Sequence, residues 1–193
     1  MKPDLTVLPA AWEPSGQQRV FRCLMKAFAY PGRIVTVAEQ EGEAVTLVLA
    51  TLVDASVNLA DPHHLLGPLD LVRLETTGAV AEAADFILLS GQIPPDFEPR
   101  LGSLESPHQS ATLIVRVDRL GSGPELALSG PGIPGTEHLR VSGLSPEWIL
   151  RRADWVADFP LGIDLLLVDG LRVAAVPRTS RIAGPTVLAQ GVV

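Results

Sequence analysis

Two arginines and two hydroxyl residues stand together near the end of the chain, in the order Arg178, Thr179, Ser180 and Arg181. Guanidinium groups bind phosphate, phosphonate or carboxylate through two parallel N–H donors, and neighbouring hydroxyls add further donors. The cluster therefore predicts an oxyanion site. Two alternatives stay open on residue types alone: a solvated strand end, or arginines that pair with acidic residues across an interface.

A second candidate is the pair Asp54 and Asn58, which stand four residues apart in a strongly apolar segment. Residues at this spacing lie on one side of a helix, and a buried carboxylate must be hydrogen-bonded or keep its proton. The pair predicts either an acid in a pocket or a polar tie between the helix and a neighbouring backbone. The tie is favoured, because structural pairs also satisfy buried charges.

The segment from Gly130 to Gly135 matches the motif G-x-G-x-x-G. In dinucleotide-binding proteins this motif aims backbone N–H groups at a pyrophosphate and opens a helix. Here Pro131 and Pro134 remove two donors, and a strand-like segment follows. We therefore predict a rigid loop. The sequence contains neither a phosphate-binding loop of the form G-x-x-x-x-G-K-[ST] nor a G-x-S-x-G nucleophile elbow.

Metal and disulfide chemistry are not predicted. His63 and His64 are adjacent, so their side chains diverge on either a helix or a strand, and His108 and His138 stand far apart. Cys23 is the only cysteine, which excludes an intrachain disulfide and fits a reducing compartment. We predict no catalytic residue and no metal ligand.

The bulk composition fits one apolar domain of 193 residues, 47% of them hydrophobic, with a mean hydropathy of +0.28. Such a composition predicts a deep core or a large partner-facing surface. The net charge of −7 argues against nucleic acid as the main partner, since phosphate backbones require a basic surface. No apolar run is long enough to span a bilayer, and the N-terminus does not resemble a signal peptide. We therefore expect a cytoplasmic protein.

Hydrophobic periodicity and turn residues predict a mixed set of helices and strands. A capping box of Ser15 and Gln18 precedes a helix over 16–29, apolar residues predict a helix over 44–59, and Pro146 starts a helix from 145 to about 157. Asp169-Gly170 predicts a hairpin, because both central residues of its turn must accept positive φ. The predicted strands cover residues 33–37, 69–75, 85–90, 111–117, 125–129, 139–141, 163–168 and 171–176.

These elements predict an α/β fold with a mixed β-sheet flanked by helices, rather than a regular βαβ array. Thr77-Gly78 is expected to be a turn. Residues 91–109 contain four prolines and little periodicity, so they predict either a functional or interacting loop or a surface excursion without a role. We expect one domain over 1–193, with tails at 1–14 and 183–193.

Several segments, taken together and in order, resemble the PhnH family of the bacterial carbon–phosphorus lyase pathway for phosphonates. Each segment is weak alone, but their order within a chain of 20.5 kDa is specific. The residues that carry the resemblance are Val20-Phe21-Arg22, Ala29-Tyr30-Pro31-Gly32, Leu52-Val53-Asp54, Thr77-Gly78-Ala79, Ser110-Ala111-Thr112-Leu113, Ser129-Gly130-Pro131-Gly132-Ile133, Phe159-Pro160-Leu161-Gly162-Ile163-Asp164 and Pro177-Arg178-Thr179.

The resemblance implies the fold of pyridoxal-phosphate-dependent transferases without the cofactor. It also implies a homodimer that joins PhnG, PhnI and PhnJ in a core complex. That core, with a nucleotide-binding partner, couples an alkylphosphonate to the ribose of ATP with loss of adenine. The expected role of the chain is a non-catalytic subunit of this complex. The alternatives are a ligand-binding subunit and an independent transferase that uses a residual pocket near Arg178.

The lysine content independently favours the absence of pyridoxal phosphate. This cofactor requires a lysine for its Schiff base, and the chain has only Lys2, in the expected tail, and Lys26, in the first helix. Pro160 and Gly162 predict a sharp helix-to-strand corner at which Asp164 accepts backbone donors. The candidate oxyanion or interface residues are Arg22, Asp54, Asp164, Arg178, Thr179 and Arg181. The expected structural loop residues are Pro31, Gly32, Gly130, Pro131, Gly132, Pro160, Gly162 and Pro177.

Overall fold

The computed structural model describes residues 10–183, in which a seven-stranded mixed sheet separates two apolar layers. The helices are α1 (Pro14–Ala29), α2 (Ala44–Leu52), α3 (Pro68–Leu74) and α4 (Glu147–Trp155), with 3-10 turns at Ala10–Trp12 and Pro107–Gln109. The strands are β1 (Val35–Thr36), β2 (Asn58–Ala60), β3 (Thr77–Gly78), β4 (Phe86–Ser90), β5 (Thr112–Arg116), β6 (Arg119–Ser129), β7 (Glu137–Ser142), β8 (Asp164–Val168), β9 (Arg172–Val176) and β10 (Arg181–Ala183).

The main sheet has the strand order β1-β9-β8-β5-β4-β2-β3. Neighbours from β8 through β3 run parallel, whereas β9 is antiparallel to β8 and β1 is antiparallel to β9. A second, antiparallel sheet has the order β10-β6-β7. The predicted α/β class with a mixed sheet is therefore confirmed.

Alternation along the central strands builds two cores, one on each face of the sheet. In β5, Leu113 and Val115 face the layer formed by the small sheet and α4, whereas Ile114 faces the layer formed by α1 and α2. All three side chains are fully buried. Strands covered on both faces read as continuous apolar runs, which explains the high hydropathy of the chain.

The predicted hairpin at Asp169-Gly170 is confirmed, but its turn differs from the one expected. Neither residue has positive φ. Instead the Asp169 carboxylate accepts the backbone N–H groups of Leu171 at 3.0 Å and Arg172 at 2.7 Å, so a side chain holds the turn between β8 and β9.

The first helix forms as predicted, whereas its capping box does not. The helix begins at Pro14, a residue whose fixed φ suits the first turn, and Glu13 precedes it without a side-chain capping bond. Ser15 consequently lies inside the helix. Gln17 donates to the carbonyl of Ala50 on α2 at 2.5 Å, which ties the two helices together.

The predicted second helix over 44–59 is wrong over its last two turns, because α2 ends at Leu52. The Asp54 carboxylate accepts the backbone N–H and the hydroxyl of Ser56, at 2.8 and 2.6 Å. Such local bonds compete with helical ones. Asn58 consequently lies in β2, where its side-chain oxygen accepts the backbone N–H of Asp85 at 2.8 Å.

The predicted strand over 69–75 is wrong as well: this segment forms α3. Pro68 occupies the first turn of the helix, and Glu75 ends it in the left-handed conformation with φ of 51°. Only Leu74 is buried in this helix, so the β-branched and apolar residues that suggested a strand face outward instead. Thr77-Gly78, predicted as a turn, forms the short parallel strand β3.

Two family-resembling loops pack against each other at glycines. A Cβ on Gly32, which has φ of 82°, would lie 2.5 Å from a Leu128 methyl group. A Cβ on Gly132, which has φ of 80°, would lie 2.6 Å from the carbonyl oxygen of Ala29. The G-x-G-x-x-G segment is therefore a β6–β7 hairpin loop that packs on the end of α1, as the rigid-loop prediction required.

The proline-rich segment 91–109 carries one 3-10 turn and lies against α4. Trp148 donates its indole N–H to the Ile93 carbonyl at 3.0 Å, and Trp155 donates to Glu98 at 2.8 Å. Arg151 also pairs with Glu98, and these hydrogen bonds from Arg151 and Trp155 lower the pKa of Glu98. The segment is thus tied down along its length.

The two predicted tails fall largely outside the described residues. Residues 10–12 form a 3-10 turn, Pro14 begins α1 and Ala183 ends β10, whereas 1–9 and 184–193 lie outside. Between residues 10 and 183, no helix combines the length and apolar character needed to cross a bilayer.

Candidate functional site

The Arg178 guanidinium lies at the amino-terminal end of β8, where Asp164 begins that strand. Arg178 donates through Nη2 to Asp164 Oδ2 at 2.6 Å, and its backbone N–H donates to Asp164 Oδ1 at 2.8 Å. Its side chain also reaches the Ser110 hydroxyl at 2.6 Å and the Pro107 carbonyl at 2.9 Å. Arg178 thereby joins the end of β9, the start of β8 and the end of the proline-rich segment.

The turn between β9 and β10, residues 177–180, also contacts a second arginine, which is not among the candidate residues predicted from the sequence. Arg152 of α4 is only 2% exposed, and its Nη2 donates to the carbonyls of Pro177 at 2.7 Å and Ser180 at 3.0 Å. Burial lowers the pKa of Arg152 to about 10, and the nearby Asp164 charge partly opposes this shift. The signal in the sequence was a basic residue within the apolar stripe of a predicted helix.

A cleft of about 580 Å³ lies between α4 and this turn, and Arg152, Arg178 and Arg181 line it. Thr179 and Arg181 are exposed at its rim, whereas Ser180 is buried. The structure therefore brings together four of the six candidate residues, namely Asp164, Arg178, Thr179 and Arg181. Their chemistry suits binding of an anion. Ser180 Oγ has no hydrogen-bond partner within residues 10–183, so no general base acts on it there.

Arg22 and Asp54 lie elsewhere. Arg22 is exposed on α1. Asp54 is exposed in the loop after α2, and its hydrogen bonds from Ser56 lower the pKa of its carboxyl group. The premise that Asp54 and Asn58 form a buried pair on one helix is therefore wrong.

A second cleft, of about 760 Å³, lies at the carboxyl-terminal ends of β4, β5 and β8. In open α/β sheets this edge commonly binds ligands, at the point where successive crossovers leave in opposite directions. Here β2 leads to β3 on one side and β4 leads to β5 on the other. The lining includes Asp70, Arg116, Asp118 and Asp169, so acidic groups dominate. The sequence analysis missed this cleft, because it did not predict β2 and therefore could not place the crossover.

Asp169 in this second cleft is committed to internal bonds. Its carboxylate is 4% exposed, accepts the Leu120 N–H at 2.9 Å and pairs with Arg172 at 2.6 Å. Burial alone would raise the pKa of Asp169, but the hydrogen bonds from Arg172 and the backbone outweigh burial and lower it. Asp169 thus stabilises the β8–β9 turn and the start of β6.

His63 and His64 lie near this edge of the sheet, and neither is placed to form a metal site with the other described residues. His63 accepts the backbone N–H of Ser90 through Nδ1 at 2.9 Å, and His64 is exposed with φ of 52°. In the part of the chain that the structure describes, no three side chains of His, Cys, Asp or Glu are grouped in a way that could hold a metal ion.

Comparison with known proteins identifies the family. The model of the family described as "Bacterial phosphonate metabolism protein (PhnH)" matches residues 10–183. The chain belongs to the PhnH family. This assignment confirms the resemblance that the eight motif segments indicated.

Two proteins that are similar to this chain have names that describe them as subunits. The chain is 51% identical over 171 residues to the putative C-P lyase subunit protein HtxG of Stutzerimonas stutzeri, an alignment that covers 89% of this chain and 88% of the relative. It is 33% identical over 178 residues to the alpha-D-ribose 1-methylphosphonate 5-triphosphate synthase subunit PhnH of Rhizobium meliloti (strain 1021), which covers 86% of this chain and 89% of the relative.

The motif segments of the PhnH family lie mainly where loops of this fold meet, rather than around a single pocket. Pro31, Gly32, Gly130, Pro131 and Gly132 lie where the α1 and β6–β7 loops meet. Pro160, Gly162 and Asp164 lie between α4 and β8, and Pro177 accepts a hydrogen bond from Arg152 through its carbonyl. Among these residues, Pro131 lines the cleft near Arg152 and Arg178, and a Cβ on Gly130 would lie 2.8 Å from the carbonyl oxygen of Thr179.

Proposed function

We propose that this chain is a non-catalytic, homodimeric subunit of the carbon–phosphorus lyase core complex, together with PhnG, PhnI and PhnJ. In this role it is required for coupling an alkylphosphonate to ATP with release of adenine. The observation that carries the proposal is family membership over residues 10–183, with 51% identity to a relative named as a C-P lyase subunit. A cytoplasmic location follows from this role.

Polar side chains near the two clefts already form hydrogen bonds and ion pairs within the chain, which favours a role without independent catalysis. Arg178 and Asp164 bond to each other, and Asp169 bonds to Arg172 and the backbone. Lys26 is exposed on α1, on the helical layer and remote in sequence from either cleft. We further propose that the sheet is a pyridoxal-phosphate transferase scaffold that no longer binds its cofactor. The exposed position of Lys26 supports this, because an aldimine lysine must project into a site.

Helix α1 offers a surface suited to a partner subunit. Phe21 and Met25 are 50% and 57% exposed and lie one turn apart, beside a second stripe formed by Arg19, Arg22 and Lys26. The helix contains no acidic residue, in a chain of net charge −7. This α1 face (Arg19, Phe21, Arg22, Met25 and Lys26) therefore complements an acidic surface with an apolar stripe on another subunit.

The first test is co-purification and activity of the assembled complex. A tagged copy of the chain should capture PhnG, PhnI and PhnJ in stoichiometric amounts from cells that express all four. Alkylphosphonate-dependent release of adenine from ATP should require the chain, whereas the chain alone should release none. Full adenine release by PhnG, PhnI, PhnJ and the nucleotide-binding partner without this chain would contradict the proposal.

A second candidate function is a ligand-binding subunit that uses the cleft near Arg178. The buried Arg152 and the arginine-rich lining favour it. An independent transferase is the third, and it has its own test: incubation with equimolar pyridoxal phosphate followed by borohydride should label Lys26 no more than Lys2, because any accessible lysine amine forms some imine with the aldehyde. A stoichiometric reduced adduct on Lys26 would overturn the non-catalytic assignment.

A further inference from the structure

The cleft between α4 and the turn after β9 contains two buried polar atoms without partners. Arg152 Nε and Ser180 Oγ both lack a hydrogen-bond partner within residues 10–183, and both residues line the same cleft. A buried polar group without a hydrogen-bond partner is unfavourable in the folded state. Two such groups at one cleft are donors that water or a ligand can use.

The charge of this cleft identifies the kind of ligand. Its described lining contains three arginines and neither an aspartate nor a glutamate, although the chain as a whole carries a net charge of −7. Arg178 is neutralised by its ion pair with Asp164. The excess positive charge therefore comes from Arg152, whose guanidinium bonds to the Ser180 carbonyl, and from Arg181, which follows Ser180 in the chain.

Arg152 is already held in position. Its bonds to the carbonyls of Pro177 and Ser180 fix the guanidinium against the turn. A donor that is already fixed loses little conformational entropy when a ligand binds, so its hydrogen bond contributes more to the affinity. Ser180 is 1% exposed, and its own backbone carbonyl accepts a hydrogen bond from the same guanidinium at 3.0 Å.

The remaining walls of the cleft are apolar. Ile149 and Val156 project from α4, and Phe159 lies at the rim with 68% of its surface exposed. An inorganic anion would leave these walls in contact with water. An anion that carries an alkyl or aryl group would cover them, because burial of apolar surface stabilises the bound state by about 25 cal/mol per Å².

We propose that this cleft binds a small organic oxyanion, a phosphonate or a carboxylate with an apolar substituent. The oxyanion accepts hydrogen bonds from Arg152, Ser180 and Arg181, and the substituent packs on Ile149, Val156 and Phe159. The site stands on its geometry. Only the choice of a phosphonate as the first probe rests on the proposed function, so a negative binding result would leave the co-purification test unaffected.

The test is titration calorimetry of the full chain with phenylphosphonate, benzoate, inorganic phosphate and benzylammonium. Phenylphosphonate or benzoate should bind, and inorganic phosphate should bind at least several-fold more weakly than the organic anion with the higher affinity, because it lacks an apolar group. Benzylammonium, which has the same ring and the opposite charge, should give no heat. Whether phenylphosphonate or benzoate binds more tightly identifies the preferred head group.

Three variants complete the test. Ser180→Ala should weaken binding roughly tenfold, since a hydrogen bond to a charged group is lost, and Arg181→Gln should weaken it roughly three- to tenfold. Arg116→Gln is the matched control, because it removes the same charge from the acidic cleft at the other end of the sheet. It should leave the affinity unchanged.

Ser180→Ala also separates ligand binding from folding. The hydroxyl has no partner in the described structure, so the ligand-free variant should unfold at the same temperature as the native chain or higher. A lower unfolding temperature would show that the hydroxyl serves the fold and would overturn the proposal. So would the absence of binding at millimolar phenylphosphonate and benzoate, equal affinity in native, Ser180→Ala and Arg181→Gln proteins, or equal affinity for phosphate and the organic anions.

Discussion

Arg178 donates hydrogen bonds to two distant parts of the chain: to Asp164 at the start of β8, and to Pro107 and Ser110 at the 3-10 turn before β5. The oxyanion interpretation of the Arg178-to-Arg181 cluster treated every guanidinium as available, but most of the donors of Arg178 already have partners. Arg152 and Arg181 provide the positive charge that is left for a ligand. The residue types therefore located the cluster. Which of its arginines are already paired, and which can bind a ligand, depends on long-range contacts that cannot be deduced from sequence spacing.

The first prediction concerns the Arg178–Asp164 ion pair, whose side chains are 16% and 24% exposed. Asp164→Asn should lower the free energy of unfolding by about 2–3 kcal/mol, because a largely buried guanidinium loses its charged acceptor. Urea denaturation provides the measurement. The matched control is Glu125→Gln, which removes one member of the exposed pair with His138 and should cost at most about 0.5 kcal/mol. Equal losses in the two variants would contradict a structural role for Asp164.

The second prediction concerns pH. The folded protein lowers the pKa of Asp169 below its ordinary value of 3.8, so Asp169 stabilises the fold above that pH, and this contribution is lost as the pH falls through the folded pKa. The unfolding free energy of the native chain should therefore decline below about pH 3.8 more steeply than that of Asp169→Asn. Urea denaturation at a series of pH values measures both curves.

The control for this pH series is Asp96→Asn, which removes an exposed carboxylate. Its curve should run parallel to that of the native chain. If the Asp169→Asn curve were also parallel to the native curve throughout the acid range, the carboxylate would make no ionisation-dependent contribution to folding.

At the scale of the elements, the buried strands were the most predictable part of the fold and the elements around them the least. Strands β4, β5, β8 and β9 fall where apolar runs predicted them, because strands covered on both faces are apolar throughout. The segment of α3 also has four aliphatic residues, together with Asp70 and Arg73, yet it forms a surface helix, with Val72 69% exposed. Apolar composition does not reveal which side chains the tertiary structure leaves outside.

Local competition limited the prediction of α2. The apolar run continues past Leu52, but Asp54 and Ser56 hydrogen-bond to each other and end the helix. The same change moves Asn58 to β2, which creates the crossover and the acidic cleft. The hydrogen bond from the Ser56 backbone to the Asp54 side chain therefore sets the end of α2. The end of α2 in turn allows β2 and the acidic cleft to form.

The third prediction concerns the contact between the α1 and β6–β7 loops. Gly132→Ala should lower the unfolding free energy by about 2–4 kcal/mol, because it adds both left-handed strain and a clash with the Ala29 carbonyl. Gly135→Ala is the matched control: Gly135 has φ of 89° but nothing lies within 4 Å of its Cβ position. It should show only the strain, about 1–2 kcal/mol. Thermal or urea unfolding of both variants measures the difference, and equal losses would remove the close approach from the explanation.

At the scale of the whole molecule, the apolar composition is divided between two cores and an apolar exterior. Exposed large side chains occur on several elements, including Met25 on α1, Val72 on α3 and Leu150 on α4. The sequence predicted either a deep core or a partner-facing surface; the structure has the core, and it also leaves large apolar side chains exposed. A subunit that assembles with several partners needs such surfaces.

The fourth prediction concerns the α1 face. The double variant Met25→Glu, Arg22→Glu should reduce capture of the other subunits at least tenfold, because it reverses charge at a surface proposed to meet acidic groups. Its unfolding temperature should stay close to the native value, since both side chains are exposed. The matched control is Arg119→Glu on the small sheet, also exposed, which should leave capture unchanged. Normal capture by the double variant would exclude the α1 face from assembly.

The two clefts lie at opposite ends of the β8 strand, one rich in arginine and the other in carboxylates. This separation places charges of opposite sign near the two ends of that strand, and such an asymmetry would orient the molecule in the field of an approaching subunit before contact. Such steering acts on the rate of association. At the roughly 8 Å screening length of physiological salt it is weak, and in dilute buffer it is strong. Added salt should therefore slow the encounter of this subunit with its partners far more than it loosens the finished assembly.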